Sequence, residues 1–259
     1  MIRPEVEEAM RKLMHLLLII GLVSWEMVLG AAMNDIGVHA SMYAAPSSSD
    51  VGSLSMPSTV GLPQSTEDYH GAGGVSAVVA LTFDDGPQPV FTPQILGVLQ
   101  RYNVHATFFC IGSQVQEYPE IVRQLYQSGN VVGDHTWSHP DLTRLSPAEI
   151  RWQLSSTAAI IQQVTGVAPT LFRPPYDATN ATVMSIGAQL GLTQTGWTID
   201  TRDWQQPGVN TLVSMVLTQA HNGSIILMHD GGGDRAQTVQ ALPQIILGLQ
   251  TRGFTFTLL

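Results

Sequence analysis

The stretch AVVALTFDDGP, residues 77–87, combines a buried strand with two acidic side chains at its end. Residues 77–83 are all apolar or β-branched, which is typical of a strand buried on both faces, and Gly86-Pro87 then turns the chain sharply. Adjacent carboxylates at the end of an apolar strand repel each other unless a cation offsets their charge. Asp84 and Asp85 therefore predict a charged site at this strand end.

The pattern of a strand followed by a helix repeats over residues 76–259. Strands are predicted at residues 77–83, 106–111, 131–133, 170–172, 193–199, 224–228 and 254–258. The helix between the third and fourth strands begins at the capping box Ser146-Pro147-Ala148-Glu149 and ends before Gly166. This alternation favours an α/β fold with a mostly parallel sheet. Seven strands fit a distorted (β/α)7 TIM-like barrel or an open doubly wound sheet, and periodicity alone does not distinguish them.

Polar side chains recur where the predicted strands end. They follow the first, third, fourth, fifth and sixth strands, as Asp84-Asp85, Asp134-His135, Arg173, Asp200 and His229-Asp230. The carboxyl ends of parallel strands converge on one face of an α/β fold, and that face holds the active site. We therefore expect these clusters to form one site.

Two histidines and one carboxylate have the spacing and chemistry of a metal site. His135 and His139 stand four residues apart in HTWSH, which on a helical turn brings both imidazoles to one side. Alone, the pair also fits a hydrogen-bonded structural role. Together with one of the two aspartates it gives three ligands and leaves coordination positions open. The other aspartate is then free to act as a base on a water molecule.

Three further residues supply the chemistry that such a site needs. Arg173, in FRPPY, can pair with a carboxylate and orient it, although a surface salt bridge is the alternative interpretation. Tyr176 presents its backbone N–H from a stiff turn, as an oxyanion donor should. His229 can serve as a general acid, with its pKa raised by Asp200 or Asp203, although a lone buried histidine is more often structural.

Five motifs occur together and in a fixed order: TFDDG at 82–86, HTWSH at 135–139, RPPY at 173–176, DTRDW at 200–204 and ILMH at 226–229. In this combination the chain resembles the polysaccharide deacetylase family (carbohydrate esterase family 4) over nearly all of residues 76–259. The resemblance implies a distorted (β/α) barrel, usually of seven strands. It also implies hydrolysis of N-acetyl groups on N-acetylglucosamine-containing polysaccharides such as peptidoglycan or chitin-like glycans.

The resemblance also assigns roles to individual residues. It implies that a divalent metal, commonly zinc with cobalt or nickel as substitutes, is bound by Asp85, His135 and His139. Asp84 would be the catalytic base, and Arg173 would orient it.

The remaining roles concern the leaving group and the acetyl group. His229 would protonate the leaving amine, and Asp203 rather than Asp200 would raise the pKa of His229. The backbone N–H of Tyr176 would stabilise the oxyanion, while Trp204 and Leu227 would line the pocket for the acetyl methyl group.

Two residues fall outside this set. Asp177 follows RPPY where many relatives carry glycine, which adds a carboxylate at the expected rim of the cleft. Cys110 falls on a strand position that we expect to be part of the core.

Other activities fit the same motifs. O-acetyl ester hydrolysis on acetylated xylan, or hydrolysis of another amide, would use the same site. A non-catalytic glycan-binding module is disfavoured because the acid, the base and all three ligands are present together.

Charge and cysteine content exclude other classes of protein. The formal net charge is −9 and the chain has a single lysine. The sequence thus lacks the cluster of basic residues that is typical of nucleic-acid binding. One cysteine excludes an internal disulfide framework and a cysteine-based zinc finger.

The N-terminal residues are typical of a targeting segment. Arg11 and Lys12 precede a mostly apolar stretch, which predicts a signal peptide or N-terminal signal anchor over residues 1–32. Glu26 interrupts that stretch and favours cleavage near Ala32 or Ala40 over a lasting anchor. Translation starting at Met10 would give a more ordinary signal.

The segments that follow complete the expected organisation. Residues 33–75 have the composition of a flexible linker, and residues 76–259 form the expected catalytic domain. We expect a secreted, periplasmic or envelope-associated protein that contacts a membrane only through an uncleaved N-terminal segment.

Overall fold

The computed structural model describes residues 77–259, so the signal segment predicted at 1–32 and the linker predicted at 33–75 lie outside it. The strands are β1 Val78–Asp84, β2 Thr107–Cys110, β3 Val131–Asp134, β4 Leu171–Phe172, β5 Thr193–Gln194, β6 Ile199–Asp200, β7 Ser224–His229 and β8 Thr255–Phe256. The helices are α1 Phe91–Arg101, α2 Gly112–Glu117, α3 Pro119–Gln127, α4 Pro147–Thr165, α5 Ala181–Gln189, α6 Val209–Gln219 and α7 Ala236–Thr251. Short 3₁₀ turns follow three of the strands, at Leu142–Arg144, Pro175–Asp177 and Asp203–Gln205. Of these helices, none is both long and apolar enough to cross a membrane.

All strand pairs are parallel, and seven strands follow the order β5-β4-β3-β2-β1-β7-β6. The short strand β8 pairs with Val78 and Val79 at the start of β1, whereas β2 pairs with β1 from Thr82 onward. The predicted fold class is therefore confirmed: helices surround a curled half-barrel of parallel strands.

Chain connectivity shows why the sheet must curl. The outermost strands, β5 and β6, are joined by residues 195–198 alone. That connection spans at most about 18 Å. In a flat sheet of seven strands, the outer strands would lie about 29 Å apart, at roughly 4.8 Å per pair. A flat sheet is thus incompatible with this connection, which decides between the two architectures that periodicity left open.

The same connection corrects one prediction. Residues 193–199 do not form a single strand, because β5 pairs with β4 whereas β6 pairs with β7 at the other end of the sheet. The apolar and β-branched residues at both ends of this segment resemble one continuous strand. The sequence pattern does not show that the chain crosses from one edge of the sheet to the other between them.

The central strand β1 separates an apolar face from a polar one. Val79, Leu81 and Phe83 are fully buried in the main core cluster, which includes residues of α1, α6 and α7. Thr82 and Asp84 alternate with them and are also buried, but both contact a guanidinium group inside the barrel. Period-two alternation thus places the core on the helix side of β1 and the charged residue on the interior side.

Helix α4 begins and ends as predicted. Ser146 and Glu149 form the reciprocal hydrogen bonds of a capping box, and Gly166 ends the helix in the left-handed conformation with a φ of 83°. The helix begins eight residues after His139, the last residue of HTWSH, so its position bears on the site.

Candidate active site

The carboxyl ends of the strands surround a cavity of about 420 Å³. Eight of the ten predicted site residues line it, namely Asp84, Asp85, His135, His139, Tyr176, Trp204, Leu227 and His229. The other two, Arg173 and Asp203, are buried directly behind Asp84 and His229. The expectation that the polar strand ends meet in one place is therefore met.

The three predicted metal ligands converge in this cavity. The Oδ1 atom of Asp85 lies 3.3 Å from Nε2 of His135 and 3.1 Å from Nε2 of His139. One ligand atom from each of the three residues lies within 4.8 Å of the others. Asp85 has a φ of 75° and His139 a φ of 59°, and this unusual backbone turns both side chains toward the same point.

The hydrogen bonds around these residues fit a cation. Nδ1 of His135 donates to the carbonyl oxygen of Arg173 at 2.7 Å, which leaves a lone pair on Nε2 toward Asp85. The buried Oδ1 atom of Asp85 accepts no hydrogen bond from residues 77–259, although both histidines are close. A buried carboxylate oxygen without a donor is unfavourable, and a divalent cation would satisfy it together with both imidazoles.

Asp84 is held in place by a fully buried arginine. Nη1 of Arg173, which is fully buried, donates to Oδ1 of Asp84 at 2.7 Å and to the hydroxyl of Thr82 at 2.9 Å. The other donors of Arg173 hold the carbonyl oxygens of Thr195 and Gly196. The pairing is therefore through one nitrogen and not bidentate, because the second nitrogen is used to secure the chain between β5 and β6.

His229 is held by Asp203. Oδ1 of Asp203 lies 2.6 Å from Nδ1 of His229, and its Oδ2 accepts from the His229 amide and the Thr238 hydroxyl. Burial alone would lower the pKa of His229, but the hydrogen bond and charge of Asp203, with the charges of Asp84 and Asp85, raise it to about 9. Nε2 of His229 is left to face the cavity as a proton donor.

Asp200, the alternative partner for His229, takes another position. It lines the cavity, and its carboxylate accepts from the backbone N–H of Arg202 at 2.9 Å. The partner of His229 is thus Asp203, at the start of the 3₁₀ turn after β6.

Tyr176 stands at the rim, with a φ of 61° in the turn after β4. Its backbone N–H donates to no acceptor among residues 77–259, so it is available to an oxygen in the cavity. Its hydroxyl lies 3.1 Å from Nδ1 of His139, and accepting a hydrogen bond from that nitrogen would leave Nε2 of the histidine free as a ligand. Trp204, which is half exposed, and the buried Leu227 supply the apolar part of the lining.

The two residues outside the predicted set are also accounted for. Asp177 is exposed and does not line the cavity. Cys110 is fully buried in β2, where burial raises the pKa of its thiol well above the ordinary value.

Comparison with known proteins decides the family. Residues 73–195 match the family model described as polysaccharide deacetylase. The chain is 41% identical over 199 residues to a chitooligosaccharide deacetylase of a Bradyrhizobium species, and the match covers 72% of this chain and 90% of the relative. The chain belongs to the polysaccharide deacetylase family.

Further polysaccharide deacetylases agree with this assignment. The chain is 47% identical over 153 residues to the peptidoglycan-N-acetylmuramic acid deacetylase PdaC of Bacillus subtilis, covering 59% of this chain but only 32% of that longer protein. The crystal structure of the Bc1960 peptidoglycan N-acetylglucosamine deacetylase superposes with a TM-score of 0.70 at 38% identity, covering 71% of this chain and 86% of the other. The protein is accordingly an enzyme that hydrolyses a carbon–nitrogen bond.

Sequence reasoning missed several residues of this deacetylase site. Oε1 of Gln153, on α4, accepts from the backbone N–H groups of Trp137 and Ser138 and thereby fixes the loop between the two histidine ligands. Trp197 lines the cavity and lies over the Arg173 guanidinium at 5.6 Å. Neither residue carries a local signal, because each acts through a contact with a distant part of the chain.

Asp230 has a structural role that its position next to His229 in the sequence does not indicate. It is fully buried, its Oδ2 accepts from the Thr92 hydroxyl at 2.6 Å, and its amide donates to the Asp84 carbonyl oxygen at 3.0 Å. Burial, followed by the charges of Asp85 and Asp84, raises its pKa to about 7. The residue links the end of β7 to the end of β1, immediately beside Asp84 and His229.

Substitution of single residues separates the metal ligands from the acid. His139→Ala should abolish stoichiometric metal binding, because it removes one of three ligands. His229→Ala should retain the metal while lowering turnover by about 10²–10⁴-fold, the usual contribution of a positioned acid. Metal content by elemental analysis and acetate release measure the two effects. Retention of both metal and activity in His139→Ala would show that the ligand assignment is wrong.

The pH profile tests the Asp203–His229 pair. Because the acid must carry its proton, kcat should fall as the pH rises through the raised pKa of His229. Asp203→Asn removes the negative charge that raises this pKa. The pH at which kcat falls on the alkaline side should therefore decrease by at least about one pH unit. Thr238→Val removes one hydrogen bond to Asp203 but leaves its charge, and serves as the matched control. If kcat falls at the same pH in Asp203→Asn as in the wild type, the group that titrates is not His229.

Proposed function

We propose that this deacetylase removes N-acetyl groups from N-acetylglucosamine-containing polysaccharide, either peptidoglycan or a chitin-like glycan, and releases acetate. The observation that carries the proposal is the presence of a carboxylate base, a protonated histidine and an unsatisfied three-ligand group in one cavity. The substrate class is supported by the names of the relatives, which act on chitooligosaccharide and on peptidoglycan.

A divalent cation held by Asp85, His135 and His139 would complete the site, and zinc is the metal that we propose. Two imidazoles and one carboxylate are common zinc ligands, and three protein ligands leave room for water and substrate. When bound, the cation activates water and polarises the acetamide carbonyl group.

The side chains then divide the proton transfers between them. Asp84, held in place by Arg173, takes a proton from the attacking water molecule. The backbone N–H of Tyr176 donates a hydrogen bond to the developing oxyanion. His229, protonated because Asp203 raises its pKa, gives its proton to the departing amine nitrogen. The acetyl methyl group fits against Trp204 and Leu227.

Acetate release tests this proposal directly. The full chain is stripped of metal, reloaded with zinc, and offered N-acetylglucosamine oligomers, peptidoglycan and acetylated xylan. Zinc-dependent release should occur from an N-acetylated glycan, and zinc-loaded His229→Ala is the inactive control. Release from acetylated xylan alone would show an O-acetyl esterase, and bound zinc without any release would favour a glycan-binding role.

We also propose that the enzyme acts outside the cytoplasm, as a secreted, periplasmic or envelope-associated protein. The basic and apolar N-terminal sequence supports this location, and so does a polymeric cell-wall substrate. Fractionation of producing cells should recover the protein in the envelope or the medium. Recovery of the full-length chain only in the cytoplasmic fraction would contradict it.

A further inference from the structure

A buried arginine in the cavity has no part in the mechanism described above. Arg235 ends the loop DGGGDR, which joins β7 to α7. It is only 4% exposed, and it lines the same cavity as the metal ligands and His229. A charge at this depth needs a partner, because removing a guanidinium group from water is costly.

The protein itself uses only part of this guanidinium group. Nε of Arg235 donates to the carbonyl oxygen of Gly231 at 2.7 Å, and Nη1 donates to that of Asp234 at 3.0 Å. Nη2 donates to no acceptor in the described part of the chain, and within that part Arg235 forms no ion pair with a carboxylate. The two carbonyl oxygens fix the orientation of the side chain and leave the remaining donors unused.

Gly232 lies between the side chains of Asp85 and Arg235, where no larger residue fits. A Cβ atom on Gly232 would lie 2.6 Å from Oδ2 of Asp85 and 3.3 Å from Nη2 of Arg235. Gly232 also has a φ of 72°, a conformation that other residues rarely adopt. Glycine at this position therefore lets the loop pack closely against Asp85 and Arg235, and both Gly232 and Arg235 line the cavity, from which a ligand group can approach the guanidinium group.

We propose that Arg235 is a specificity-determining residue that binds a carboxylate on the glycan, carried by the sugar being deacetylated or by its neighbour. This inference rests on the proposed function. A guanidinium group with free N–H donors is suited to a carboxylate, with which it forms charge-assisted hydrogen bonds. Oδ1 of Asp85 is close to the two histidines, and among residues 77–259 the Asp85 carboxylate forms no ion pair with Arg235.

Three substrates distinguish carboxylate binding by Arg235 from a role in the deacetylation of every substrate. Chitooligosaccharide is neutral, hyaluronan oligomers carry a carboxylate on the neighbouring uronic acid, and peptide-free peptidoglycan strands carry one on the lactyl ether. Wild-type kcat/KM should be higher on at least one carboxylate-bearing substrate than on chitooligosaccharide. In Arg235→Gln this preference should fall at least tenfold, as expected for the loss of a charge-assisted hydrogen bond. The responding substrate identifies which carboxylate is bound.

Controls address the structural role of the side chain. Arg144→Gln removes an exposed arginine that does not line the cavity, and should leave the preference unchanged. Arg235→Lys keeps the charge and should keep part of the preference. Metal content is measured in each variant, so that a loop collapse that displaces Asp85 is detected.

The outcomes distinguish the two proposals. Equal loss of kcat/KM on all three substrates in Arg235→Gln, or no wild-type preference for a carboxylate, would overturn the role of Arg235 while leaving the deacetylase function in place. Absence of acetate release from every substrate by the zinc-loaded wild-type enzyme would overturn both.

Discussion

The four residues between β5 and β6 impose the constraint on which the rest of the structure depends. They are too few to join the edges of a flat seven-stranded sheet, so the sheet curls and the strand ends face a common interior. Arg173, at the end of β4, thereby reaches Asp84 at the end of β1, although two other strands separate them in the sheet. Arg173 also donates to the carbonyl oxygens of Thr195 and Gly196, so the Arg173–Asp84 ion pair and the segment between β5 and β6 stabilise each other.

Three carboxylates in this interior differ in their surroundings because they have different partners. Asp84 is paired with a permanently charged guanidinium group, and Asp203 with a histidine whose pKa it raises. Oδ1 of Asp85 faces two imidazole nitrogens and accepts no hydrogen bond from residues 77–259, which suits it to a cation. The side chain of Asp230, another carboxylate, accepts from the Thr92 hydroxyl, and burial raises its pKa. Identical side chains are thus suited to the proposed roles of base, partner of the acid, metal ligand and structural link.

The predictable part of the site lies in residues whose local sequence carries chemistry. The adjacent aspartates, the HTWSH spacing and the RPPY turn each indicate a function within a few residues, and all of them line or support one cavity. Gln153, Trp197 and Arg235 carry no such signal. A glutamine on a helix, a tryptophan after a short strand and an arginine after glycines are ordinary in sequence. Their importance comes from backbone groups and cavities supplied by distant segments.

The sequence by itself determined the family and the parallel α/β architecture, and it singled out the ten predicted site residues, because strand ends and motif spacing are local properties. Periodicity could not determine whether the sheet curls, since it is the same in a barrel and an open sheet, and only the family resemblance implied a barrel. The sequence pattern also predicted one strand where the structure has β5 and β6. Tertiary structure decided these two points and revealed the open donors of Arg235, and it brings Asp203 rather than Asp200 to His229, as the resemblance implies. Each depends on which distant groups meet when the chain curls, and no local pattern records that.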